Sequence, residues 1–222
     1  MCGRFTLTDE IAQLQAHFEF FNGEDLTPRF NIAPGQQILT VVSDGTNRMA
    51  QHMKWGFVPF WAKDEKMGFK MINARAETID EKPSFRQAFQ QRRCLILADG
   101  FYEWKRTESK KHPYRFVLKD KKPFAFAGIW ETWSKGTTPL TSCTIITTEP
   151  NDVTKDIHDR MPVILPPDAY DTWLNPIYQP ISDLKDLLKP YPAEKMEKYE
   201  VSTLVNSVKN DLPELIKPLN RF

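Results

Sequence analysis

Short apolar runs cut by turn residues limit what this chain can become. Arg92 to Ala98 contains Cys94-Leu95-Ile96-Leu97-Ala98 and reads as a fully buried strand. Asp99-Gly100 turns it into Phe101-Tyr102-Glu103-Trp104-Lys105. A polar stretch, Arg106 to His112, then leads to a strand over Tyr114 to Leu118. Asp120-Lys121-Lys122 makes the next turn before Phe124 to Trp130. Gln37 to Val42 and a run through Met49, Met53 and Trp55 flank Ser43-Asp44-Gly45-Thr46-Asn47 as a hairpin. Ser142 to Thr148, Met161 to Leu165 and Tyr199 to Ser202 add further strands. Helices are few: one capped by Thr8 and carrying Ile11, Leu14, Phe18 and Phe21, one opened by Pro83, a short one at Asn151, one after Pro166-Pro167, and Ser182 to Leu188. The expectation is an α+β domain on a curved or barrel-like, mostly antiparallel sheet with peripheral helices.

At 222 residues with 41% hydrophobic and 27% charged residues, the chain has length for a real core. A single domain over residues 2–210 is expected, with a partly disordered tail over 211–222. No apolar run approaches the roughly 20 residues of a membrane span, and the N-terminus lacks a signal-peptide core, so a cytoplasmic monomer with no membrane partner is expected. The three cysteines, Cys2, Cys94 and Cys143, are odd in number and have no CxxC spacing, which argues against a disulfide framework and a zinc site. No cofactor is called for. A net charge of +1 gives no global field toward nucleic acid, so any such binding needs a local groove.

Met1-Cys2-Gly3-Arg4-Phe5 carries the sharpest chemistry. Removal of Met1 puts an α-amine and a thiol on adjacent carbons at Cys2. Such an aminothiol condenses with an aldehyde to an imine, and the thiol closes onto it as a thiazolidine. At neutral pH an α-amine, with a pKa of about 7.7–8.0, has a nucleophilic fraction roughly a few hundredfold larger than a lysine. The thiol, near about 8.5, is already a few per cent thiolate. The alternative is that Met1 stays and Cys2 is an ordinary buried strand thiol.

Polar residues also interrupt apolar surroundings elsewhere. Asn73 and Arg75 follow Met71-Ile72 and alternate onto one face. Glu103 lies among Phe101, Tyr102 and Trp104, where desolvation raises a carboxylate's pKa unless it is paired. His158 precedes Asp159-Arg160 and Met161-Pro162. Trp55-Gly56-Phe57-Val58-Pro59-Phe60-Trp61 is too interrupted for a regular element, and its rings are either exposed or tucked into the core.

In order, Met1 to Phe5, Arg29-Phe30-Asn31-Ile32-Ala33-Pro34, Trp55 to Pro59, Ile72 to Thr78, Ala98 to Trp104, Ile157 to Pro162 and Val205-Asn206-Ser207-Val208-Lys209-Asn210 closely resemble the SOS-response-associated peptidase (SRAP) family. The resemblance spans nearly the whole chain. It implies a β-rich SRAP fold and binding of single-stranded DNA at abasic sites. It also implies a thiazolidine DNA–protein crosslink between Cys2 and the ring-opened deoxyribose, protecting the lesion, and a thiol autopeptidase activity that exposes Cys2. By motif, Cys2 is the nucleophile, Asn73 positions the opened sugar or the amine, Glu103 donates and accepts protons, and His158 assists at the sugar hydroxyl and in reversal. Arg4, Arg75 and Arg160 match phosphate ligands, and Pro34, Trp61 and Trp104 match apolar or stacking surfaces.

The sequence departs from the pattern at Ala62, where relatives can carry a second Trp, and at Pro83, where some have a basic residue. Two rival readings remain. In an N-terminal-nucleophile amidohydrolase, the Cys2 thiol attacks an amide with its own amine as base. A non-covalent single-stranded DNA-binding module would leave Cys2 incidental.

Overall fold

Five of the apolar runs close on themselves. The computed structural model describes residues 2–219 apart from 109 and 178; the expected removal of Met1 and the last residues of the tail lie outside the described residues. Strands β3 (Gln37–Ser43) and β4 (Arg48–Trp55) form the expected hairpin, and β6 (Arg93–Ala98) pairs antiparallel with β3. Then β9 (Phe124–Trp133) pairs with β6, and β10 (Leu140–Thr148) with β9. The ring closes where Ser142 and Cys143 of β10 meet Lys54 and Trp55 of β4 in parallel. Four antiparallel seams leave the two end strands pointing the same way, so the fifth seam has to be parallel.

A second, five-stranded antiparallel sheet is ordered β13 (Met196–Glu200), β8 (Lys111–Leu118), β7 (Gly100–Arg106), β1 (Phe5–Leu7), β2 (Arg29–Ile32). Phe5 joins it to the barrel: its ring packs on Trp55 at 5.2 Å and edge-on to Phe126 at 5.7 Å. Three short strands finish the barrel's rim. These are β5 (Asn73–Arg75), parallel to β10, β11 (Met161–Pro162), antiparallel to β10, and β12 (Ile164–Leu165), antiparallel to β9. The α+β class read from the sequence is the class observed.

Helices α1 (Ile11–Phe18), α2 (Arg86–Gln91), α3 (Tyr170–Leu174) and α4 (Ile181–Asp186) are short and peripheral. Two of them depend on one buried guanidinium. Arg93 donates to the carbonyls of Phe89, Gln90, Trp173 and Asn175, satisfying the C-terminal ends of α2 and α3 together. Among the described residues no helix is long and apolar enough to cross a membrane.

The chain leaves the barrel for the second sheet at Asp99. That carboxylate accepts from the Thr6 hydroxyl, the Thr8 N–H at 2.6 Å, the Thr8 hydroxyl, and the Arg115 guanidinium at 3.0 Å. Arg115 also donates to the Tyr199 hydroxyl at 2.8 Å, so one buried ion pair ties β1, β8 and β13 to the corner. Gly100 is required beside it, because a Cβ there would stand 2.6 Å from the guanidinium.

Several expectations are corrected. Thr8 bonds Asp99 rather than capping a helix, and Glu10 takes the cap position without a side-chain bond. That helix stops at Phe18, where Glu19 turns at φ +58°, and leaves Phe21 exposed. The short helix expected at Asn151 is a run of turns held by the Asn151 side chain. The last strand starts three residues and ends two residues earlier than expected, at Met196–Glu200, in register with β8. The polar stretch Arg106 to His112 is less of a link than expected: β7 runs to Arg106 and β8 starts at Lys111. Residues 211–219 are no loose tail. Leu215 is buried with Tyr102, Val201 and Val205, and the Asp211 carboxylate takes the Phe30 N–H at 2.5 Å.

Asp99→Ala strands the buried Arg115 charge and is expected to cost about 3–5 kcal/mol. Urea unfolding should show this as a lower midpoint at unchanged slope. A loss under about 1 kcal/mol would mean that water replaces the pair.

Candidate active site

The register of β1 on β7 builds the site. Phe5 opposes Phe101, Thr6 opposes Gly100, and the Tyr102 N–H donates to the Arg4 carbonyl at 2.9 Å. Continuing that ladder brings Cys2 and Gly3 alongside Glu103 and Trp104. Cys2 is fully buried. Burial pushes its thiol well above the ordinary range, the Glu103 carboxylate adds to this, and the Arg4 backbone N–H works against it.

Glu103 is 4% exposed, and burial pushes its carboxyl up to about 7. The His158 Nε2 lies 4.0 Å from Glu103 Oε2. Its Nδ1 accepts the Arg160 N–H at 3.0 Å, so the neutral ring carries its proton on Nε2, toward Glu103. Once protonated, the ring can also meet the Asp159 carboxylate, 3.0 Å from Nδ1. Burial nevertheless lowers the His158 pKa.

Arg4 forms the neighbouring wall. Its guanidinium donates to Asn31 Oδ1 and the Val205 carbonyl, each at 2.7 Å, and lies 5.6 Å from the Trp104 ring centre. The Trp104 indole N–H donates to Asn206 Oδ1 at 2.7 Å. Asn31 extends the wall by donating to the carbonyls of Ser207 and Asn210 at 3.0 and 2.7 Å. A cleft of about 550 Å³ opens here, lined by Arg4, Glu103, Trp104, His158 and Asn206, with Arg106 and Lys111 from the β7–β8 hairpin.

The other expected residues gather around β10. Asn73 opposes Ile145, and its Nδ2 reaches that carbonyl at 3.5 Å while its Oδ1 is buried without a hydrogen-bond partner among the described residues. Arg75 opposes Thr147 and is exposed. Arg160 grips Glu77 through two bonds of 2.6 and 2.9 Å and donates to the Thr147 carbonyl at 2.7 Å. That grip holds the Glu77 carboxyl below its usual range. None of these three lines the cleft; the His158-to-Arg160 loop joins the two groups. Pro34 and Trp61 do not line the cleft either. Trp61 is 41% exposed near Phe60, while Trp55 and Phe57 of the same segment are buried. The aromatic segment thus does both things the sequence left open. Gly56, at φ +136°, permits it, since a Cβ there would stand 2.8 Å from the Gly68 carbonyl oxygen.

Sequence reading gave no role to Asn31, Asn206, Arg106 or Lys111. The first two lie inside quoted motifs, so the signal was present. The last two sit at a hairpin tip with no glycine or Asn-Gly to mark it.

A buried thiol at residue 2 beside a carboxyl near neutrality, with an imidazole 4.0 Å from that carboxyl and a cationic cleft alongside, is an arrangement suited to thiol chemistry with proton transfer. The chain belongs to the SOS response associated peptidase (SRAP) family, whose model matches residues 1–208. It is 52% identical over 222 residues to the abasic site processing protein YoqW of Bacillus subtilis (strain 168), covering 98% of this chain and 99% of that one. It is 37% identical over 202 residues to the abasic site processing protein HMCES of Gallus gallus, covering 80% of this chain and 60% of that protein. A crystal structure of a protein from Bacteroides thetaiotaomicron superposes with a TM-score of 0.89 at 28% identity, covering 99% and 100% of the two chains.

Glu103 gives a stability test. Its ordinary pKa of 4.5 rises to about 7 in the fold, so the folded state favours the proton. Below pH 4.5 both states are protonated and nothing is lost. Between 4.5 and 7 the unfolded chain ionises first, and stability falls by up to about 3 kcal/mol. Glu103→Gln should therefore melt progressively higher than the parent as pH rises from 5 to 8. A gap that stays constant would show that the carboxylate is compensated in the fold.

Proposed function

We propose that this chain processes abasic sites in single-stranded DNA by forming a covalent thiazolidine crosslink through Cys2. The observation that carries the reading is the Cys2 thiol beside Glu103, whose carboxylate stands 4.0 Å from His158 at the edge of an open cationic cleft. The names of the relatives, abasic site processing proteins, support abasic sites as the substrate.

The chemistry follows from the protonation states. Met1 is removed by the chain itself: the thiol attacks the Met1 carbonyl, the peptide nitrogen leaves as the Cys2 amine, and water hydrolyses the thioester. The abasic sugar opens when Glu103 and His158 pass the hydroxyl proton to the ring oxygen, freeing the aldehyde. The α-amine adds to the aldehyde carbon, and protonated Glu103 releases the hydroxyl as water, giving the imine. The thiol then adds across the C=N bond, its proton passing through Glu103 to nitrogen, and the ring closes. The sum is protein plus DNA minus water. A carboxyl near 7 is poised to give and take protons at neutral pH. His158 assists in reversal, and the Asn73 Oδ1, without a partner among the described residues, accepts a hydrogen bond from the opened sugar or the amine.

Arg4, Arg75 and Arg160 serve the phosphates, with Pro34, Trp61 and Trp104 as stacking surfaces worth about 1–3 kcal/mol per base. With about three phosphates neutralised on a single strand, log affinity should fall against log salt with a slope of roughly −2.

Intact mass before and after mixing with an oligonucleotide carrying one abasic site tests the reading. Loss of Met1 and a heat-stable adduct of protein plus DNA minus water are expected; an unchanged mass would sink it. An uncleaved tag before Met1 should abolish the adduct. Cys2→Ser should give an imine that borohydride traps but little stable product, and a stable adduct without reductant would show that the thiol is not the ring-closing group.

A further inference from the structure

We propose that Arg106 and Lys111, at the tip of the β7–β8 hairpin, form a second phosphate site for single-stranded DNA, in the cleft beside the abasic sugar and separate from Arg75. The proposal rests on the substrate class given above and adds where the strand runs past the site.

The register sets Arg106 directly across from Lys111, so the two cations share one end of the hairpin. Both line the cleft that Glu103 and His158 also line. Arg106 lines an adjoining cleft of about 390 Å³ as well, with Trp104, His158, Asp156 and Asp159. The acidic groups near them are few, and Glu108, in the turn between them, is exposed and makes no ion pair with the described residues. Asp156 is occupied by Lys198, Asp159 lies against His158, and burial biases Glu103 toward its neutral form.

What sets this pair apart is availability. Arg4 is bonded to Asn31 and the Val205 carbonyl, and Arg160 to Glu77 and Thr147. Arg106 and Lys111 are exposed and make no ion pair with the described residues. Two unneutralised cations beside a reactive cleft repel each other and gain from an anion that spans them. The backbone of a strand crossing the cleft supplies one.

Arg75 belongs to the β10 side, reached from His158 through Arg160 and Thr147, and does not line this cleft. The hairpin cations do line it, with Glu103 and His158. A sugar held at Glu103 and His158 therefore has Arg106 and Lys111 in its own cleft, separate from Arg75.

The test compares the parent with the double variant Arg106→Gln, Lys111→Gln, following the rate of adduct formation against oligonucleotide concentration. The half-saturating concentration should rise roughly tenfold while the rate at saturation stays, and the salt slope should become shallower by about 0.7 for the phosphate released. Arg106→Lys with Lys111→Arg should restore most of the loss. A neutral methylphosphonate on one side of the lesion should weaken the parent severalfold and leave the double variant unmoved. Unchanged saturation and salt slope in the double variant, or equal methylphosphonate effects in both proteins, would overturn the site. If the parent forms no adduct at all, the covalent reading fails instead. Anisotropy with a tetrahydrofuran-site oligonucleotide then reads the same salt slopes and decides the hairpin's role alone.

Discussion

A ring of five strands cannot alternate direction all the way round, and the rest of this molecule is arranged about the one parallel seam that results. The seam is short: β10 touches β4 only at Ser142 and Cys143. Beyond Cys143 that edge of β10 is released and takes up β5, also in parallel, which presents Asn73 and Arg75 opposite Ile145 and Thr147. On its other edge β10 loses β9 after Ile145 and gains β11 at Thr147 and Thr148, so the loop carrying His158 and Arg160 ends against the same strand. The overhang left by barrel closure is thus the place where the catalytic candidates from separate stretches are hung.

The second sheet brings the other half, and one physical cause tunes it. Desolvation raises the Cys2 thiol, raises the Glu103 carboxyl to about 7 and lowers His158, so all three are pushed toward their uncharged forms. A nucleophile that turns over many external amides is served by the opposite, a thiolate stabilised by a neighbouring cation, whereas a single self-cleavage at Met1 makes no such demand. Here the strongest neighbour of the thiol is a carboxyl. Neutral groups that exchange protons at small cost suit reversible condensation at a carbonyl, where each step moves a proton and no charge has to accumulate.

The parts of the fold that were legible in the sequence are those whose signals are local. Cys94 to Ala98 is apolar at successive positions because both its faces are covered, and it could be read as such. Thr8 was misread because a carboxylate 91 residues away competes for its hydroxyl and its N–H, and no local pattern records that. Residues 211–219 are broken by two prolines and carry no helical or strand period, yet Leu215 closes a small core over Tyr102. The same division holds at the site. Residue types and motif order singled out Glu103 and His158 from their surroundings, but the occupation of Arg4 and Arg160 by protein partners appears only in three dimensions.

That occupation changes how the arginines should be understood. Arg160 holds Glu77 in a two-pronged pair with Thr147 behind it, and Arg4 is locked between Asn31, Val205 and the Trp104 ring. A phosphate arriving at either finds its best donors already used, so the net gain is the difference between two charge-assisted bonds rather than the whole of one. Their larger contribution is geometric: Arg160 fixes the loop whose backbone N–H sets the His158 tautomer, and Arg4 fixes the wall beside Glu103. The cations that gain most from DNA are those the fold leaves exposed. The balance of +1 over the whole chain conceals this, because so many of its charges are paired with one another.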